Sequence, residues 1–252
     1  MPSSLRIWGH ILSNPFTGYG QINKDTRIAW PLACLLLLVA VSTSLMLPIT
    51  SSPAYLAAAL RVQTATLESR GVEMGGEQSK AMEEQLTSPM MRTFTAVSSY
   101  LGAFVTFAAT ILFLALLMKA FTSAMKASLP YRQLLAIFVF TGLVTAVQGL
   151  FKAGIMLASD WQGALQGVQT TADLKAALVS PLSLALLVPY ATLGKVGYAL
   201  LDTATDVFNW IYFTFLYAGM KAAGMDKGRA LAVTLFTAVL FLAVALGASL
   251  LF

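Results

Sequence analysis

Polar positions divide this chain into long apolar runs. A helix needs about 20 apolar residues to cross roughly 30 Å of hydrocarbon, and four runs reach that length. The first covers 28–47 (IAWPLACLLLLVAVSTSLML), with Trp30 at its interface and Pro48 closing it. The second covers about 95–118, inside a longer helix opened by Ser88-Pro89, and the third about 134–158, after Pro130 and Arg132. The last covers 230–252. A shorter aromatic run at 205–220 (TDVFNWIYFTFLYAGM) offers Trp210, Tyr212 and Tyr217 to interfacial belts and predicts a fifth span. The stretch 176–201 is broken by Pro181, Pro189 and Lys195, which leaves a re-entrant segment, an interfacial segment or a kinked sixth span open.

Outside these runs the pattern turns amphipathic. Leu5, Trp8, Ile11 and Leu12 recur at helical spacing and predict a short helix on the membrane surface, ended by Asn14-Pro15. Ser52-Pro53 reads as a helix start, followed by a face of Tyr55, Leu56, Leu60, Val62 and Leu67. Gly75-Gly76 breaks that helix, and 77–86 reads as a second short charged one. The expected product is a small helical cap outside the membrane, too small to bury a core of its own. The organisation is an interfacial segment at 1–27 and a transmembrane domain at 28–252 that includes the loop 49–94.

Composition narrows the class. Of 252 residues 58% are hydrophobic and 11% charged, against about 25% charged in soluble domains. That excludes a soluble globule, and a disordered chain would be far less apolar. The class left is an all-α polytopic membrane protein. Its net charge of +5 carries a topology signal. With five spans and a cytoplasmic N-terminus, 1–27, 119–132 and 221–229 lie inside and hold nine of the sixteen basic residues. A sixth span would put Lys221, Lys227 and Arg229 outside. No basic run points to nucleic acid, and the single Cys34 can build neither a disulfide nor a cysteine-based metal site within the chain.

Enzyme signatures are sparse. His10 is the only histidine, and phosphate-loop, zinc-protease and nucleophile-elbow motifs are missing. No catalytic residue, cofactor or metal site is expected. Chemistry is instead concentrated in intramembrane polar groups, because a charge at the bilayer centre costs about 2.5–3.5 kcal/mol and has to face inward or pair. Thr141, Thr145, Gln148 and Lys152 share one face of the third span; Thr95, Ser99, Gly102, Thr106 and Thr110 share one of the second. Asp202, Asp206 and Asn209 are expected to continue a face into the run at 205–220. Lys152 is expected to pair with Asp206 or, second, with Asp202. The two aspartates could equally serve the positive end of a helix dipole, capped by Thr203 or Thr205. Gly102, Gly142, Gly149 and Gly154 suit close helix approach, whereas Gly219 and Gly224 read as loosening or ending a span. Glu73, Glu77, Glu83 and Glu84 read as a solvated face. Lys119, Lys126, Arg132, Lys221, Lys227 and Arg229 are candidate contacts to anionic headgroups.

Three stretches resemble the Yip (Ypt/Rab-interacting protein) domain family in its bacterial form. In ILSNPFTGYGQINKDTRIAWP the matching residues are Asn14, Pro15, Phe16, Ile22 and Trp30. LPYRQLLAIFVFTGLV resembles the basic, aromatic start of the family's third span. LLDTATDVFNWIYFTFLYAGMKAAGMDKGRALAV, with Asp206, Phe208, Trp210, Gly219, Lys227, Gly228 and Ala230, resembles its last helical hairpin. The outer cap is a departure, and Tyr19-Gly20 lacks the acidic Gly-Pro sequence beside the Tyr-Gly of eukaryotic members. The resemblance implies five spans in a bacterial cytoplasmic membrane and a non-enzymatic role in organising membranes. Its expected partners are lipids, another membrane protein or a second copy. The alternative is a transporter or channel for lipid, ion or small solute, lined by the polar faces of spans two to four. Its mark would be a continuous cavity reaching Gln148 and Asp206.

Overall fold

The computed structural model describes residues 3–68, 88–127, 129–166, 168, 173–174, 182–188 and 190–251. All regular structure among them is helical. In order the helices are α1 (Ser3–Ser13), α2 (Pro15–Tyr19), α3 (Ala29–Thr50), α4 (Pro53–Glu68), α5 (Pro89–Ala124) and α6 (Tyr131–Ala158). There follow α7 (Trp161–Gln166), a 3₁₀ turn (Leu184–Leu187), α8 (Tyr190–Thr205), α9 (Val207–Ala222) and α10 (Lys227–Leu251). Within this set Ala29–Thr50, Thr93–Ala124, Tyr131–Ala158 and Lys227–Gly247 are long and apolar enough to cross a membrane. The protein is a multi-pass helical membrane protein. α9 has 16 residues and rises about 24 Å at 1.5 Å per residue, short of a full hydrocarbon thickness on its own.

α6 is the axis of the bundle. Over half of its most apolar stretch is buried, against a quarter or less for the other three long helices, whose leucines and phenylalanines face outward. The reason is its small residues. Gly142 lies against Leu35, Phe107 and Ile111, and Gly149 against the Ser42 hydroxyl. These contacts set α3 parallel to α6, with α5 returning antiparallel beside both; Ser44 and Tyr100 share a hydrogen bond of 2.6 Å between α3 and α5. Gly102 and Gly154 meet nothing within 4 Å, so neither serves the close approach expected of it. Pro48 does not close α3, which runs on to Thr50. Pro48 offers no N–H to the Ser44 carbonyl, so one intrahelical bond is missing two residues before the helix ends.

The N-terminal segment packs one face into the core. Asn14 caps α2 by accepting from the Thr17 amide, and Pro15 occupies its first turn. α1 folds back so closely that a side chain at Gly18 would collide with the backbone at Ile11. Ile7, Trp8 and Ile11 are buried, and Leu12 is exposed. The buried stripe is therefore rotated from the expected one: Ile7 joins it and Leu12 leaves it. Tyr19 enters between α6 and α9, where its hydroxyl lies 2.6 Å from that of Thr141. Gly219 makes room for the Tyr19 ring and Ile137; this close approach replaces the loosening role expected from sequence. Gly224, at φ +93°, forms the turn before α10.

At the opposite end α4 starts at Pro53, with the Ser52 hydroxyl accepting from Tyr55 N–H. This region shares a small core with the second long loop. Ala58 and Val62 of α4 bury against Leu165 and Val168, with Tyr55, Trp161 and Leu174 around them. Arg61 donates to the Leu165 carbonyl at 3.1 Å. The second long loop supplies the missing half of the apolar surface. The expected helix at 77–86 and Glu73, Glu77, Glu83 and Glu84 lie outside the described residues.

Candidate functional site

Two features bring polar groups into the membrane-spanning bundle. The first is a network where α6, α8 and α9 meet. Asp206 breaks the chain between α8 and α9 (ψ 118°) and caps α9, its Oδ1 accepting from Phe208 N–H at 2.9 Å. Gln148 of α6 donates to Oδ2 at 2.7 Å, and the Lys152 ammonium lies 3.9 Å from the same oxygen. Asp206 is only 3% exposed, so these partners replace its water. The shorter contact, from the neutral amide, dominates the geometry.

The break at Asp206 also means that Asp202, Asp206 and Asn209 do not continue a single helical face. Asp202 ends up on α8, with its Oδ1 buried and without a partner among the described residues. Asn209 on α9 reaches back to donate to the Thr203 carbonyl at 2.8 Å. Asp206 itself is the cap that Thr203 or Thr205 was expected to supply. Thr205 instead holds the 3₁₀ turn, through Leu184 N–H at 3.0 Å and the Ser183 hydroxyl at 3.1 Å. Within the stretch 176–201, the described residues form this turn and an α8 kinked at Gly194 (φ 64°).

The second feature is a lateral cleft. α5 and α10 touch at the end where α1 and α2 dock: Phe121 stacks on Phe236 at 4.3 Å, and Thr237 points its hydroxyl at Met118 sulfur, 3.8 Å away. Away from that contact the two helices diverge. A cavity of about 690 Å³ lies between them, walled by Phe113, Leu240 and Val244. It joins a deeper cavity of about 310 Å³ through the shared Thr110, Leu114 and Phe241. The deeper wall carries Thr106, Thr145, Gln148 and Asn209. No sequence signal foretold the divergence, since both helices are uniformly apolar. The hydroxyl stripes did mark its inner wall. Of the five candidate polar residues only Gln148 and Asn209 line the cleft; Lys152, Asp202 and Asp206 do not.

The arrangement of a short capped helix, a glycine-mediated dock for an N-terminal hairpin and a central third span extends over most of the chain. So does the sequence likeness: the family model for the Yip1 domain matches residues 9–248. The chain belongs to the Yip1 domain family. Neither the curated proteins nor the solved structures contain a match to it. The residues that carry the Yip1 domain resemblance mostly serve packing here: Phe16 meets the Tyr217 ring edge-on at 6.3 Å, Ile22 is buried, and Gly219 receives Tyr19. Of the Yip1 domain's basic residues near the dock, Lys119 and Lys221 donate to the Leu129 and Met225 carbonyls, at 2.8 and 3.3 Å. Arg229 pairs with Asp226 at 3.3 Å, while Lys126, Arg132 and Lys227 extend outward. No group of three or more metal-ligating side chains occurs among the described residues.

Proposed function

We propose that this Yip1 domain protein is a non-enzymatic component of a bacterial cytoplasmic membrane that recognises another membrane constituent inside the bilayer. In this reading it has five spans, its N-terminus is cytoplasmic, and Lys126, Arg132 and Lys227 contact anionic headgroups, each contributing about 1 kcal/mol near the surface. The observation that carries it is the cleft between α5 and α10. It opens sideways between membrane-spanning helices, and its inner wall offers neutral hydrogen-bonding groups. Asp206, the buried carboxylate, is committed to capping α9 and to Gln148 and Lys152, which leaves the wall without an acid–base pair.

Transport of a lipid or solute is the second reading, favoured by the reach of the cleft to Gln148. Against it, the cleft ends at the stacked Phe121 and Phe236 and does not include Asp206. The test is a photocrosslinking residue at Val244 in intact membranes, with flux measured in proteoliposomes. Recognition predicts a defined adduct and no flux. Measured flux, or a turned-over product, sinks the proposal.

A further inference from the structure

The cleft is chemically layered, and the layering specifies an occupant. Its mouth is apolar and faces the surroundings of the bundle. Its inner wall lies level with Val39, near the middle of α3, and so at mid-depth in the bilayer. Threonines in membrane helices commonly return their hydroxyl to the carbonyl one turn back, as Thr43, Thr214 and Thr234 do. Thr106, Thr110 and Thr145 do not: among the described residues their hydroxyls have no partner. Gln148 and Asn209 have each committed one amide N–H, to Asp206 and to the Thr203 carbonyl. Each therefore keeps its carbonyl oxygen as an acceptor and one further N–H as a donor. The wall is thus a set of rotatable hydroxyls with two partly used side-chain amides and no ionised group.

A charged headgroup brought to this depth would meet no countercharge, since Lys152 and Asp206 lie outside the lining and neutralise one another. A hydroxyl or ester meets donors and acceptors it lacks in hydrocarbon. The mouth narrows to a closed V where Phe121 meets Phe236. A flexible chain follows such a taper; a second helix, about 10–12 Å across with its side chains, does not. We infer that the cleft between α5 and α10 binds a neutral, hydroxyl-bearing lipid, its head against Thr106, Thr110, Thr145, Gln148 and Asn209 and its acyl chain leaving past Phe113 and Val244. This deepens the recognition reading and rests on it.

The experiment uses the full chain in nanodiscs with a monoacylglycerol bearing a diazirine on its acyl chain. Phosphatidylglycerol and phosphatidylethanolamine probes with the same chain serve as comparison. The expected result is adducts on peptides containing Phe113, Phe241 or Val244, enriched for the neutral probe. The triple change Thr106→Val, Thr110→Val and Thr145→Val should cut that labelling about five- to twentyfold, the loss of two to three hydrogen bonds of intramembrane strength. Val244→Trp plugs the mouth without touching a hydroxyl and should reduce labelling as well, so the test survives if the triple variant folds poorly. Equal labelling by all three probes, adducts scattered over Leu101 and Leu116, or a polypeptide in place of a lipid would overturn the assignment. Failure here with a Val244 adduct persisting in intact membranes leaves the recognition reading standing. Conversion of the probe to product overturns that reading but not the ligand class.

Discussion

Single residues here do more than one task, which changes what substitutions report. Asp206 caps α9 and holds both Gln148 and Lys152. A charge swap of Lys152→Glu with Asp206→Lys therefore fails to restore stability, although the two groups lie 3.9 Å apart, because lysine cannot cap a helix. Asp206→Asn keeps an acceptor for the cap, whereas Asp206→Ala should cost about 1–2 kcal/mol more than it; thermal melting in detergent separates them. At Tyr19, Tyr19→Phe and Thr141→Val should each cost about 1 kcal/mol, with the double change costing less than their sum. The mixed legibility of these residues has a physical cause. Lys152 and Asp206 stood out because charges in a bilayer must be satisfied. Gln148 sat on the same face yet gave no sign of being the nearer partner, since the α8–α9 break that brings Asp206 to it depends on where Thr203 and Thr205 find their own bonds.

Among the elements, the long helices were plain from length and apolarity alone, while their mutual angles were not. α5 closes on α6 at Gly142, whereas α10 packs on α8 and α9 instead, and apolarity alone does not tell the two apart. The cap core was illegible for a related reason: Val62 and Leu165 are far apart in sequence, and each half looks too meagre to bury anything. At the turn before α10, Asp226 accepts from the Arg229 amide at 2.9 Å, and this bond holds its carboxyl below the usual aspartate range. A carboxylate depressed in the folded state stabilises fully above its unfolded pKa and loses that contribution as pH falls through the folded value. Asp226→Ala should therefore loosen the α9–α10 turn at neutral pH and matter progressively less as pH falls from about 4, the ordinary aspartate value, through the depressed folded one. Amide exchange at Gly228 and Arg229, followed from neutral pH downward, checks this.

For the molecule as a whole, the question is which turns share a side of the membrane. Ala223, between α9 and α10, sits beside the dock of α1 and α2. In a Cys34→Ser background, Ala223→Cys should react from the same side as a cysteine placed at Gly20. Labelling from opposite sides would defeat the five-span topology. The positive-inside pattern foreshadowed this grouping; the insertion of Tyr19 between α6 and α9 accounts for it mechanically.

That insertion also imposes an order on biogenesis. The slot for Tyr19 is made by Ile137 and Gly219, the second of which leaves the ribosome two hundred residues after the tyrosine does. Until α9 is in place, Tyr19 lacks one wall of its slot, and the hairpin can pack only on α6, where Trp8 meets Phe140 edge-on at 5.8 Å. A chain truncated before Val207 would lack the Gly219 wall and should leave Tyr19 partly uncovered. The hairpin ahead of α3 therefore locks only after α9 has been made, so its docking reports that α9 is in place.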